Sequence, residues 1–297
     1  MSELRALVAE ELSLPVDERV SACAAAIAQK HGAASRAALF YGSCLRQKQL
    51  DGLMLDFYLI VSDYRAAYAK RWLAVANRLI PPNVFYFEHD GLVAKYAVLS
   101  EGDFQRACDL SARDPSVFAR FAQPSRLVWA ADEAARTCAM DAVSRAAPTL
   151  LELTRPALSD DDARDVLNIW RQGFAFTYAA ELRAERSARP ASIVDADKAR
   201  YRRFAKAAGF PRDMRYTADQ RRASVDGWRK FQRRGRRAQL LRLAKASLTF
   251  AGGADYIAWK INRHAGTDIQ LRPWQRRHPL LAGVSLLPRL LRSGAVR

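Results

Sequence analysis

The sequence predicts an α+β fold, a small mixed sheet with flanking helices followed by a largely helical C-terminal region. Three observations carry this expectation. Two apolar runs of strand length, 36–43 and 53–61, are separated by a short polar gap. Two more, 84–87 and 93–99, flank Glu88-His89-Asp90-Gly91, which has the chemistry of a hairpin turn. Beyond Arg113-Asp114-Pro115 the periodicity becomes helical, with no convincing strand.

Taken in order, residues 3–32 read as one or two helices with a break at Pro15 and Asp17. Val20, Cys23, Ala24, Ile27 and Ala28 supply the helical stripe. After the first two strands, Ser62-Asp63 reads as an N-cap. One helix is expected from there to about residue 79, with Tyr64, Tyr68, Trp72, Val75 and Leu79 on one apolar face. Pro81-Pro82 stops it ahead of the hairpin. Ser100 is expected to cap a helix over 102–111. Helices are then expected at 115–122, 132–151 and 160–186, the last capped by Ser159. Residues 187–200 read as a loop, and 200–250 as helical and strongly basic. The chain thus divides into a sheet-bearing domain (1–114), a helical, basic domain (115–250) and a C-terminal segment (251–297).

The chain has 297 residues, half of them apolar, with a net charge of +17 and a pI near 10.2. Such an excess of cations implies an anionic partner: nucleic acid, an anionic membrane surface or a phosphorylated substrate. Cys23, Cys44, Cys108 and Cys138 are scattered without zinc spacing, so free thiols in a reducing compartment are expected. The acids near the start argue against a mitochondrial presequence, and no run of about 20 apolar residues is present to span a bilayer. A cytoplasmic protein that touches a membrane peripherally is expected.

The chemistry concentrates at Tyr41-Gly42-Ser43 and Asp56. Gly at a strand end lets the backbone approach a phosphate, and Ser adds a hydroxyl donor. A carboxylate in the apolar strand Leu53-Met54-Leu55-Asp56-Phe57-Tyr58 is costly to bury without a partner, and a metal ion is one such partner. Gly-Ser with a strand acid resembles the nucleotidyltransferase superfamily, in which the turn holds a triphosphate and strand carboxylates hold Mg²⁺. That pattern usually has two acids two apart, whereas Tyr58 stands at the second position here. The other reading of these residues is an ordinary turn and a strand-end acid.

A narrower resemblance covers about residues 38–186. Tyr41-Gly42-Ser43, Leu55-Asp56-Phe57, Lys95-Tyr96-Ala97-Val98-Leu99-Ser100, Phe118-Ala119-Arg120-Phe121 with Pro124, and Tyr178-Ala179-Ala180-Glu181-Leu182-Arg183 occur in order. Together they resemble the mitochondrial-type phosphatidate cytidylyltransferases, the translocator-assembly-and-maintenance family, whose pattern has a single strand Asp. The family's Trp-His after the second strand is absent, and its Gly-Asp is Ala180-Glu181. The resemblance implies a nucleotidyltransferase-like domain over 1–114 and transfer from CTP to phosphatidic acid, giving CDP-diacylglycerol and pyrophosphate with Mg²⁺. It implies catalytic roles for Asp56 and Lys95. Nucleotide binding falls to Tyr41, Gly42, Ser43, Arg120 and Arg183, and metal binding to Asp56 and Glu181.

Each assignment has a plainer reading: a snorkelling strand lysine for Lys95, solvated helix arginines for Arg120 and Arg183, and a helical salt bridge for Glu181. Glu88, His89 and Asp51 read as turn or loop residues, and Asp195 and Asp197 as loop acids despite their metal-like spacing. The basic stretch 221–242, interleaved with Trp228 and Phe231, suits RNA or an anionic lipid surface. The apolar run 280–292, flanked by Trp274 and arginines and interrupted by Pro288, suits an interfacial anchor or a helix packed on the core. Two rivals stay open: a nucleotidyltransferase acting on RNA or protein, and a non-catalytic basic module that binds RNA or lipid on a degenerate fold of the same kind.

Overall fold

The computed structural model describes residues 2–47, 50, 52–180, 189–210, 215–249, 270, 272 and 273. The expected break near Pro15 separates two helices. α1 (Glu3–Leu12) is capped by the Ser2 hydroxyl, and α2 (Glu18–Lys30) by the Asp17 carboxylate, which accepts from the Arg19 N–H. β1 (Ser35–Tyr41) leads through Gly42 into α3 (Ser43–Gln47), and β2 (Met54–Val61) returns antiparallel to β1.

Asp63 caps α4 (Tyr64–Ala67), but the helix breaks at residues 68–70 and resumes as α5 (Arg71–Leu79). The apolar face expected along 64–79 is therefore split. Tyr64 and Tyr68 are buried, while Trp72, Val75 and Leu79 face outward. The buried Asn77 orients α5: its amide donates to the Val98 carbonyl at 2.9 Å, and its oxygen accepts from the Asn83 N–H. A buried amide must be satisfied, and this one turns Ala74 and itself toward the sheet.

β3 (Asn83–His89) and β4 (Leu92–Ser100) form the expected hairpin, with Asp90 and Gly91 at φ +45° and +72°. Ser100 caps α6 (Glu101–Cys108), and α7 (Phe118–Phe121) follows. β5 (Ser125–Ala130) corrects the expectation of no strand beyond residue 115, since it pairs antiparallel with β1. It is an edge strand in which only Ser125 is fully buried, so it lacks the alternation that marks a half-buried strand.

The helical part comprises α8 (Glu133–Thr154), α9 (Val166–Tyr178), α10 (Arg189–Asp195), α11 (Lys198–Ala207) and α12 (Ala218–Thr249). The loop expected over 187–200 thus contains α10. Asp195 pairs with Arg171 at 2.7 Å and Asp197 caps α11, so both acids have structural work.

The sheet order is β3-β4-β2-β1-β5, with β2 and β4 parallel and the other pairs antiparallel. This is a five-stranded mixed sheet with helices on both faces and a helical C-terminal region. One face packs α2 against Phe40, Phe57 and Leu59. The other joins Leu39, Tyr58 and Ile60 to α1, α6, α8, α9 and α11 in a single larger core, which spans both sides of position 115. All four cysteines are free thiols.

α12 is fastened to this body by polar contacts. Trp228 donates to the Leu153 carbonyl at 2.9 Å, and Gly235 sits where a Cβ would lie 3.0 Å from the Ala180 side chain. Arg242 pairs with Asp114 at 2.7 Å, and both are largely buried. Burial raises the Asp114 pKa, but the Arg242 guanidinium and the Ser116 N–H outweigh it and hold the carboxyl below its ordinary value. A carboxyl lowered by folding stabilises the protein above its unfolded pKa, and that contribution is lost as pH falls through the folded value. Arg242→Met should therefore destabilise the protein by about 3 kcal/mol at neutral pH, since it strands a buried charge. The gap in thermal midpoint between the two proteins should narrow toward pH 3; a gap of constant size would refute the pairing as its source.

Candidate active site

β1 reaches its end at Tyr41, and the β1–β2 register sets Tyr41 opposite Asp56. The parallel β2–β4 register sets Asp56 opposite Lys95, and the hairpin sets Lys95 opposite Tyr86. Four neighbouring strands thus align Tyr41, Asp56, Lys95 and Tyr86 in one row on one face. The Lys95 ammonium lies 3.0 Å from Asp56 Oδ1, with the two side chains 32% and 17% exposed. The pair is partly shielded yet open to a ligand.

Gly42 adjoins the row at φ +98°, a backbone conformation that side chains resist. A Cβ there would lie 2.7 Å from Asp56 Oδ2. Residue 42 is therefore glycine for two separate reasons, one conformational and one of space. Ser43 opens α3, and the neighbouring Cys44 donates its thiol to the Met54 carbonyl at 3.3 Å. Burial, then the Asp56 charge, push the Cys44 thiol up, so it stays protonated and unreactive.

Arg120, on α7, donates to the Ser116 carbonyl and is hydrogen-bonded to Tyr41. Burial first, then the Asp56 charge, drive the Tyr41 hydroxyl well above its ordinary value, and Arg120 opposes them. Tyr58, two residues beyond Asp56 on the same face, is raised by burial and feels the charges of Arg120, Arg242 and Asp114. Arg242 also reaches the Ser116 hydroxyl at 3.3 Å. A polar track therefore leads from Asp56 through Tyr41, Arg120 and Ser116 to α12.

Of the residues singled out in the sequence, Tyr41, Asp56 and Lys95 stand in this row, Gly42 adjoins it against Asp56, Ser43 follows as the first residue of α3, and Arg120 lies beside the row through Tyr41. Arg183 and Glu181 lie outside the described residues, as do Asp51 and the run 280–292. Glu88 accepts from the Tyr86 hydroxyl, and His89 faces Asp90 at 3.4 Å. Sequence reasoning missed Tyr86, Asp114 and Arg242. Tyr86 was findable, because counting outward from the Asp90-Gly91 turn pairs residue 86 with 95. Asp114 and Arg242 are 128 residues apart and carried no local signal.

Among the described residues no group of three or more His, Cys, Asp or Glu side chains gathers to hold a metal. The donor set nevertheless fits Mg²⁺ arriving with a nucleotide, an ion that takes one or two carboxylates plus substrate phosphates and keeps several waters. Asp56 supplies one carboxylate; its Oδ1 is held by Lys95, and its Oδ2 borders the space a Cβ on residue 42 would fill.

No protein-family model and no curated protein matches the chain. Among solved structures, a nucleotidyltransferase-like protein from Exiguobacterium sibiricum 255-15 aligns over 93% of this chain and 92% of its own, at 11% identity and a TM-score of 0.29. That likeness is too loose to decide fold or activity.

Proposed function

We infer that the chain is a nucleotidyltransferase, and specifically a Mg²⁺-dependent phosphatidate cytidylyltransferase working at the membrane surface. The observation that carries the reading is the Asp56–Lys95 pair at 3.0 Å beside a glycine whose Cβ would strike Asp56. A carboxylate, a cation and a closely approaching backbone at one strand end are the parts phosphoryl chemistry needs. The choice of CTP and phosphatidic acid rests on the motif resemblance over residues 38–186.

In this reading a phosphatidate oxygen attacks the α-phosphorus of CTP, the bond to the β-phosphate breaks, and pyrophosphate leaves. The attacking phosphate is already anionic, so no general base is required. Two anions must be held together, and Lys95 and Arg120 supply positive charge on either side of Asp56. Gly42 gives the triphosphate access to backbone N–H groups, and Ser43 adds a hydroxyl. Mg²⁺, held by Asp56, would supply charge neutralisation on the phosphates. Glu181 and Arg183 are assigned by resemblance alone, as a second metal ligand and a nucleotide contact.

The exposed basic face of α12 favours a second reading, in which the same site acts on RNA. Labelled CTP, Mg²⁺ and phosphatidic acid vesicles separate the two. Label in a CDP-lipid supports the first; label in transfer RNA supports the second. A folded protein that transfers label to neither leaves a non-catalytic binding module and sinks both.

A further inference from the structure

Seven large hydrophobic side chains are exposed among the described residues, and five of them lie on α5 and α12. Trp72, Val75 and Leu79 are 45%, 57% and 74% exposed and fall on one stripe of α5 at helical spacing. Leu240 and Leu241 are more than half exposed near the C-terminal end of α12. α12 reaches the short segment that follows α5, where Arg242 donates to the Pro81 carbonyl at 2.7 Å and Lys245 to the Ile80 and Pro82 carbonyls. Those acceptors directly follow α5.

The apolar stripe is bordered by cations. Arg71 and Arg78 are exposed on the side of α5 next to Val75. Arg233, Arg234 and Arg237 are exposed on α12, on the turns leading to Leu240. Clustered exposed apolar residues mark an interaction site. An amphipathic helix with Trp and aliphatic residues outward and Arg alongside suits the boundary between headgroups and acyl chains. Single-stranded RNA would use aromatic platforms and has no use for Val75, Leu79 and two leucines. A second copy of a chain with a net charge of +17 would bring two cationic rims together.

We propose that the outer stripe of α5, together with Leu240 and Leu241 of α12, forms a docking surface for an anionic lipid bilayer. The proposal deepens the lipid reading of the active site and rests on it for its purpose, since a diacyl substrate must be met at the surface. Its test needs no turnover. The full chain is floated, without nucleotide, on vesicles of phosphatidylcholine alone and of phosphatidylcholine mixed with phosphatidylglycerol. It should bind the mixed vesicles. Trp72→Ser/Val75→Ser/Leu79→Ser should lower that partitioning roughly tenfold or more, because the apolar area no longer enters the membrane. Arg71→Gln/Arg78→Gln should weaken binding and flatten its salt dependence. All five positions are exposed, so circular dichroism melts should stay unchanged.

Undiminished vesicle binding by the triple variant overturns the proposal. So does a protein that ignores anionic vesicles and binds RNA, or one that forms a dimer the triple variant abolishes. Docking on vesicles with no CDP-lipid formed on adding CTP and phosphatidic acid keeps the surface and removes the cytidylyltransferase reading instead.

Discussion

Asp56→Asn should lower nucleotidyl transfer by about a thousandfold or more while leaving the fold intact. The substitution keeps the side chain's shape but removes the carboxylate charge that the strand supplies to the proposed metal site. Its effect on stability should stay within about 1 kcal/mol, because the Lys95 ammonium, 32% exposed, can reach water once its partner's charge is gone. Lys95→Met is the companion variant. If Lys95 steadies the bound phosphates, that variant should lose activity as well, with Lys95→Arg partly restoring it. If Lys95 only neutralises Asp56, Lys95→Met should leave the rate near that of the native chain. Rates with labelled CTP and thermal midpoints for all three variants decide the matter. An Asp56→Asn protein of native activity would remove the basis for the proposed chemistry.

Gly42→Ala should damage both folding and activity. At φ +98° an alanine brings backbone strain of about 1–3 kcal/mol. Its Cβ, 2.7 Å from Asp56 Oδ2, must also displace the carboxylate, and crowding of that kind costs about 1–3 kcal/mol more. Gly91→Ala is the matched control. Gly91 has φ +72°, and nothing lies within 4 Å of a Cβ built there. That variant should lose stability from backbone strain alone and keep its activity. Thermal melts beside transfer rates separate the two effects. Equal activities in the two alanine variants would show that the approach of Gly42 to Asp56 has no part in function.

Much of the sheet was legible beforehand. Four strands, the Asp90-Gly91 hairpin, the break at Pro15 and the caps at Asp63 and Ser100 are local features. Each follows from residues within a few positions of one another. β5 was not legible, because an edge strand with one fully buried residue shows no alternation. The direction of α5 was not legible either. Trp72, Val75 and Leu79 have the spacing of a core stripe, and only the buried Asn77, satisfied by Val98 and Asn83 across the sheet, turns them outward. Periodicity reveals that a helix has two faces but does not say which of them finds a partner.

The candidate site divides along the same line. Local pattern is enough to place Gly42-Ser43 at the end of a strand, Asp56 as a carboxylate inside an apolar one, and Lys95 in the hairpin's second arm. The packed sheet sets β2 and β4 side by side and parallel, which brings Lys95 within 3.0 Å of Asp56. Tertiary packing likewise turns Arg120 toward Tyr41 and draws Arg242 out of the basic stretch to pair with Asp114. The physical reason is range. Turns, caps and strand propensity are set by neighbours in the chain, whereas strand order and charge pairing are set by how the two faces of the sheet bury their apolar surface.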